Sequence, residues 1–378
     1  MKLKRMTELV EACHGAVCTF PTEFFGYFGW PTVAKMENGT LVAVASGLRN
    51  AHVCPFGRTV IGTSSDEGRT WTSPCVVNDS PLDDRDAGVI SIGGKRLLLS
   101  WFSVDTRQYQ VPLDRSNEEV VQPYNDALAR MTDETVARWQ GSWVRSSEDG
   151  GETWDRPVKV PLTAPHGPIR LKSGELLYLG KHFLTDVTGI RQSTGAIGAM
   201  KSRDGGYTWE KLGNVPIYEG THEEHYHEPH VVELHDGRLL GLIRFQNHGK
   251  AHRVEDLGLK SFSLMQTESA DGGETWTPAK PLGFHGSPPH LMRHSSGVIV
   301  CVYGFRQKPF GQRAMISHDE GKTWKYNYIL RDDGPDSDLG YPSSVELDDG
   351  SILTVYYQKV GSVDEQCSIL WTRWKMPN

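Results

Sequence analysis

Short apolar runs that enter an Asn-Gly, Asp-Gly or similar turn, and leave it as a second apolar run, recur along the whole chain. W-P-T-V-A-K-M-E-N-G-T-L-V from Trp30, E-P-H-V-V-E-L-H-D-G-R-L-L from Glu228 and Y-P-S-S-V-E-L-D-D-G-S-I-L from Tyr341 align position by position. Looser copies begin at Asp86 (D-A-G-V-I-S-I-G-G-K-R-L-L), Pro165 (P-H-G-P-I-R-L-K-S-G-E-L-L) and Pro288 (P-P-H-L-M-R-H-S-S-G-V-I-V). Short runs bounded by such turns predict a strand, a hairpin and a second strand in each copy. Six copies spaced roughly 50–80 residues apart form an internal repeat.

A second pattern, S-x-D-x-G-x-T-W, falls between these hairpins. It occurs five times, from Ser64, Ser147, Ser202, Ser269 and Ser317, each after a strand-like run such as R-T-V-I-G-T. The Asp accepts from nearby backbone N–H groups, the Gly takes a positive φ, and the Trp packs between neighbouring sheets. Together the two patterns predict six four-stranded sheets arranged radially, an all-β six-bladed propeller with residues 1–378 as one domain. Residues near 1–20, or the terminal strand at 367–374, are expected to complete the last blade. The longest departure, 103–145, contains N-D-A-L-A-R-M-T-D-E-T-V-A-R-W-Q at helical spacing. It predicts a helical insertion in blade 2, serving as a lid or a contact surface.

Composition narrows the function classes. Eleven Trp, 40 Gly and 21 Pro at 38% hydrophobic content fit many short strands and tight turns. A net charge of −7 without a Lys/Arg-rich block argues against nucleic acid or an anionic membrane as partner. No apolar run reaches membrane-spanning length. Glu8 and Glu11 interrupt what would be a signal-peptide core, so a cytoplasmic location is expected. The six cysteines lack C-x-x-C spacing, which excludes a zinc signature and suggests reduced thiols.

In a propeller the starts of the inner strands ring one end of a central channel. Those positions hold Trp30, Asp86, Pro165, Glu228, Pro288 and Tyr341. Two carboxylates, a tyrosine and a tryptophan at one funnel suit a sugar, with an aromatic face for the ring and carboxylates for hydroxyls and protons.

The propeller with its five Asp-bearing turns resembles the sialidase (neuraminidase) superfamily over nearly the whole chain. That resemblance implies a tyrosine nucleophile paired with a glutamate, an aspartate general acid/base on a first-blade loop, and three arginines on the substrate carboxylate. Tyr341 in G-Y-P-S-S-V-E-L matches the nucleophile strand and Glu228 in H-E-P-H-V-V-E-L the partner glutamate. Arg244, sixteen residues after Glu228, matches one arginine of the three. Asp86 in D-D-R-D-A-G lies at the aligned blade 2 position. The family's F-R-I-P start is here F-G-W-P, so Gly29 replaces the first arginine, and the acid/base aspartate falls on His52. Arg306 and Arg313 are candidates for the third arginine. Trp30, Arg49, His166 and His227 complete the expected substrate contacts.

The stretch T-H-E-E-H-Y-H-E-P-H at 221–230 carries four histidines, but its spacing is not H-E-x-x-H and Pro229 opposes a helix. In an extended strand His225 and His227 point away from Glu228 and His230, so neither a metal nor another cofactor is expected. The expected function is hydrolysis of a terminal sugar other than ordinary sialic acid. A lyase acting on uronates and a non-catalytic carbohydrate-binding propeller are the alternatives.

Overall fold

The computed structural model describes residues 2–107, 109, 118–182, 184–185, 191–192, 195–247 and 253–377. Six antiparallel sheets succeed one another along the chain. The inner strands of blades 1 to 6 are Tyr27–Lys35, Asp83–Gly93, Ile169–Arg170, Tyr226–Glu233, Pro289–Arg293 and Gly340–Glu346. Each pairs with the strand that follows it, so every blade begins at the axis and runs outward.

Both chain ends take part in closure. The terminal strand Ser368–Trp374 is the third strand of blade 6, and Ala12–Cys18 pairs antiparallel with it as the fourth. Lys2–Arg5 adds in parallel to Thr323–Gly334 at the outside of blade 5. The N-terminal segment thus ties the last two blades together before the chain enters blade 1, leaving no open sheet between first and last blade.

The repeated turn is the same small machine each time. In the first copy Asp66 Oδ1 accepts from Thr70 N at 2.9 Å, Asp66 Oδ2 accepts from Thr70 Oγ1 at 2.7 Å, and Ser64 Oγ accepts from Gly68 N at 2.9 Å. These donors pull the Asp66 carboxyl down to about 2. Gly68 sits at φ +85°, and a Cβ there would lie 2.9 Å from Leu353 of blade 6, so the turn is packed against its neighbour blade. Aliphatic clusters fill the seams between blades. Leu177 and Leu179 of blade 3, for example, pack with Ile243 and Phe245 of blade 4.

The insertion lies between the second and third strands of blade 2. It contains helices α1 (Glu118–Arg130) and α2 (Asp133–Trp139), while 108 and 110–117 fall outside the described residues. Helix α1 packs onto the loop that follows the second strand of blade 1. Buried Tyr124 donates to Asn50 Oδ1 and stacks edge-on against Phe56 at 5.2 Å. The insertion therefore braces the 50–57 loop. No helix among the described residues is long and apolar enough to cross a membrane, and all six cysteines are unpaired.

Three histidines occupy the channel interior. His230 and His290 stack at 4.4 Å, and His166 meets them edge-on at 5.7 and 5.0 Å. Backbone N–H groups of Leu291 and Ser344 donate to Nδ1 of His230 and His290, so both rings are neutral with the proton on Nε2. Burial lowers all three pKa values, that of His230 to about 3. The unfolded chain takes up these protons near pH 6.5 and the folded chain does not, so their contribution to stability is whole above that pH and shrinks toward pH 3. Urea unfolding midpoints should therefore fall from pH 6.5 downward, and His230→Gln should flatten that slope. An unchanged slope in the variant would remove the histidines from the account.

Candidate active site

At four inner-strand starts the backbone leaves the β region. Trp30, Asp86, Glu228 and Tyr341 have φ of 54°, 51°, 45° and 49°. At each one the register with the second strand shifts. Left-handed backbone is costly for residues with a Cβ, about 1–3 kcal/mol each, and three of the four precede a proline, which favours extended backbone. The surrounding sheets hold these residues in place. The bulge also corrects the expected alternation in blade 4, because His227 and Glu228, adjacent in sequence, both line the same cavity.

That cavity, of about 200 Å³, is bounded by His52, Arg85, Asp86, Phe102, Pro165, Lys181, His227, Glu228, Arg244 and Tyr341, with Thr163 and Ala164. It is smaller than the ~300–1,000 Å³ of usual small-molecule sites.

Tyr341, Glu228 and Arg244 form a closed triad. Tyr341 Oη donates to Glu228 Oε1 at 2.7 Å, and Arg244 Nη1 donates to Glu228 Oε2 at 2.5 Å and to Tyr341 Oη at 3.0 Å. Arg244 Nε donates to Gln246 Oε1 at 2.8 Å. Burial would raise the Glu228 carboxyl, but Arg244 and the tyrosine hydroxyl outweigh it and hold it ionised. Burial, and then the Glu228 charge, push the Tyr341 phenol well above 10. The resting state is a neutral phenol hydrogen-bonded to an anionic base.

His52 lines the opposite part of the cavity, its side chain about half exposed. Its Nδ1 lies 3.0 Å from Asp338 Oδ1, and Trp30 meets its ring edge-on at 4.9 Å. Burial at the channel mouth lowers its pKa below 6.5, against the raising effect of Asp338.

Several sequence-predicted contacts are placed elsewhere. Trp30 is 1% exposed, with the guanidiniums of Arg49 and Arg85 at 4.9 and 4.2 Å from its ring, so it is a strut and has no open face for a sugar. Arg49 is fully buried and grips Asp83 through both oxygens, at 2.5 and 2.8 Å. It also donates to the carbonyl of His52 at 2.9 Å, supporting the loop from beneath. Arg313 donates to the carbonyls of Gln312, Arg331 and Pro309 in blade 5. Arg306 donates to those of Ser287, Ser337 and Leu339 while lying 5.6 Å from the Tyr341 ring centre. His166 belongs to the channel interior described above. None of these five lines the cavity.

The structure adds residues that sequence reading passed over. Arg85, within the quoted D-D-R-D, reaches the cavity and donates to the carbonyl of His52 at 2.8 Å. Lys181, at the end of a blade 3 strand with no motif around it, donates to the Tyr226 carbonyl at 2.8 Å and lies 3.4 Å from His227 Nδ1. Asp338 sits in D-D-G-P-D-S-D, a composition that reads as a solvated loop. Among the described residues no group of three or more His, Cys, Asp or Glu has the arrangement to hold a metal ion.

A propeller of six such blades, with a Tyr–Glu–Arg triad at the funnel, is a sialidase-like propeller. Residues 115–354 match the BNR repeat-like domain, and the chain belongs to this family. No curated protein sequence matches it significantly. Among solved structures, a protein of unknown function from Dyadobacter fermentans is similar over 96% of this chain and 99% of its own, at 23% identity and TM-score 0.72. The NanB sialidase from Streptococcus pneumoniae is similar over 95% of this chain and 70% of its own, at 13% identity and TM-score 0.64. The intramolecular trans-sialidase from Ruminococcus gnavus follows at 94% and 96%, with 15% identity and TM-score 0.62. At these identities the likeness is one of fold.

The Arg49–Asp83 pair gives a stability test independent of activity. Removing one partner of a buried pair typically costs about 3–5 kcal/mol because the other charge is left buried alone. Asp83→Asn should lower the denaturant midpoint accordingly, as followed by tryptophan fluorescence. A loss below ~1 kcal/mol would mean that water reaches Arg49.

Proposed function

We propose that the protein is a retaining glycosidase that releases one terminal sugar bearing an anionic group. The observation that carries this reading is the Tyr341–Glu228–Arg244 triad, with its proton already aligned for transfer. Tyr341 Oη attacks the anomeric carbon while its proton passes to Glu228 Oε1. The phenol is far too weak an acid, and Glu228 too weak a base, for a free phenolate to accumulate, so proton loss accompanies carbon–oxygen bond formation. Arg244 Nη1 already touches Oη and stabilises the charge that develops there. His52 protonates the leaving oxygen, and in its neutral form then activates the water that cleaves the glycosyl–tyrosine bond.

The anionic preference rests on charge. Arg85, Lys181 and Arg244 face the cavity against two carboxylates, Asp86 and Glu228. Arg85 and Lys181 line the cavity beside the triad, and in this reading they are the cations that meet substrate. They stand on blades 2 and 3. In the sialidase pattern one arginine precedes the blade 1 proline, where this chain has Gly29. A carboxylate or sulfate would therefore enter from a different side, which supports a sugar other than ordinary sialic acid.

A second reading has one observation in its favour. His52 is neutral at pH 7 and Tyr341 carries a proton, which is a base–acid pair suited to β-elimination from a uronate. The products separate the two readings, because elimination leaves an unsaturated sugar that absorbs in the ultraviolet and hydrolysis does not.

Aryl glycosides of uronates, sialic acid and neutral sugars, together with uronate oligosaccharides, make the assay panel. Hydrolysis of an anionic glycoside is expected, with Tyr341→Phe and Glu228→Gln each lowering kcat by at least ~10²–10⁴-fold. Parent-like turnover in both variants would discard the nucleophile assignment. In a separate series, Lys181→Met should raise KM for anionic glycosides about tenfold or more and leave neutral ones unaffected. Equal effects on both classes would detach Lys181 from the anion.

A further inference from the structure

The His52 ring is held by a group that belongs to another blade. Asp338, on the loop entering blade 6, accepts from Tyr27 Oη at 3.0 Å through Oδ2 and from Tyr357 Oη at 3.0 Å through Oδ1, and Oδ1 lies 3.0 Å from His52 Nδ1. Tyr27 Oη is itself 3.1 Å from that nitrogen. Both tyrosines are buried, and the Cys367 thiol approaches the same carboxylate at 3.7 Å. The carboxylate thus receives two hydroxyl protons and faces one imidazole nitrogen. As an anion it can only accept, so the nitrogen facing it must carry hydrogen. Gly29 belongs to the same arrangement: a Cβ there would sit 3.2 Å from the Tyr27 ring and 3.7 Å from that of Tyr357. The glycine at the departed arginine position leaves room for the two rings that hold Asp338.

We propose that Asp338, clamped by Tyr27 and Tyr357, is the positioning residue that fixes His52 as the Nδ1–H tautomer and leaves Nε2 as its acid–base atom. The protonation side of the site is then built as a carboxylate–imidazole pair, in place of the single aspartate of the sialidase pattern. The other charges near His52 are Arg85 and Arg49, which both oppose its protonation, and Asp338 is the group that favours it. Burial works against an ionised Asp338, but the His52 and tyrosine hydrogen bonds outweigh it and hold the carboxyl near 2, so it stays anionic across the working pH range. The tautomer stands on this geometry alone, and its catalytic consequence rests on the glycosidase reading above.

Two measurements test the proposal separately. Imidazole ¹⁵N NMR of the full chain, with His52 assigned by difference from His52→Gln, should show Nδ1 protonated and Nε2 titrating. In Asp338→Asn, which keeps the shape and removes the charge, the His52 pKa should fall by about one unit or more. Asp338→Glu should recover part of that shift. A proton on Nε2 in the parent, or an unmoved His52 titration in a folded Asp338→Asn, overturns the assignment.

Kinetics gives the second readout. Activity on a poor leaving group should be lost as pH rises through the His52 pKa. Asp338→Asn should move this limb to lower pH and reduce kcat by about 10²-fold with little change in KM. Good leaving groups, which need no acid, should be spared. Correct NMR with no kinetic effect from Asp338→Asn or His52→Gln would sustain the clamp and reject His52 as the acid.

Discussion

A β-strand alternates its side chains, so a straight inner strand offers only every second residue to the channel. The site depends on breaking that rule at the inner-strand starts. Left-handed backbone at Trp30, Asp86, Glu228 and Tyr341 inserts a bulge where each of these strands meets the funnel, and the residue at the bulge turns toward the axis or the wall beside it. The conformation is unfavourable locally and is maintained by the rest of the sheet. Its result is that groups from blades 1, 2, 4 and 6 come together although they are separated by up to 311 positions in sequence, the distance between Trp30 and Tyr341. Closure through the N-terminal strand keeps blade 6 beside blade 1, and so keeps Tyr341 and Asp338 beside Tyr27 and His52.

Buried charge is the second constraint, and it sorts the arginines. A guanidinium out of water needs partners, and Arg49 and Arg313 find them in a carboxylate or in backbone carbonyls. Those bonds make them structural. Arg244 is also buried and paired, but its partners are Glu228 and Tyr341, both of which line the cavity. Arg85 and Lys181 reach the cavity while anchored by their neighbours, Arg85 on the His52 carbonyl, Asp83 and the Trp30 ring, and Lys181 on the Tyr226 carbonyl beside His227.

The blades were legible in the sequence because their signals are local. A turn needs Gly at a positive φ and an Asp within reach of its own backbone, and such a motif survives intact in five copies. Tyr341 and Glu228 were legible through alignment of those repeats, since equivalent positions in different blades point to one axis, and Arg244 through the resemblance to the sialidase pattern. Arg49 and Trp30 were misplaced because sequence position gives the strand end and not the side of the strand from which burial comes. His227 was expected to face away from Glu228, as strict alternation requires, and the bulge reversed that. Asp338 and Lys181 carried no signal: one sits in an acidic loop, the other at the end of an ordinary strand, and only folding brings them to the funnel.

The two departures from the sialidase pattern lie side by side, at Gly29 and His52. A Cβ at position 29 would crowd the Tyr27 ring at 3.2 Å and touch that of Tyr357 at 3.7 Å. Those rings place their hydroxyls on Asp338, and Asp338 in turn meets His52. Glycine at 29 and the carboxylate–imidazole pair thus share the same two tyrosines as neighbours. Asp338 is the group that favours protonation of a half-exposed histidine whose neighbours Arg49 and Arg85 both oppose it.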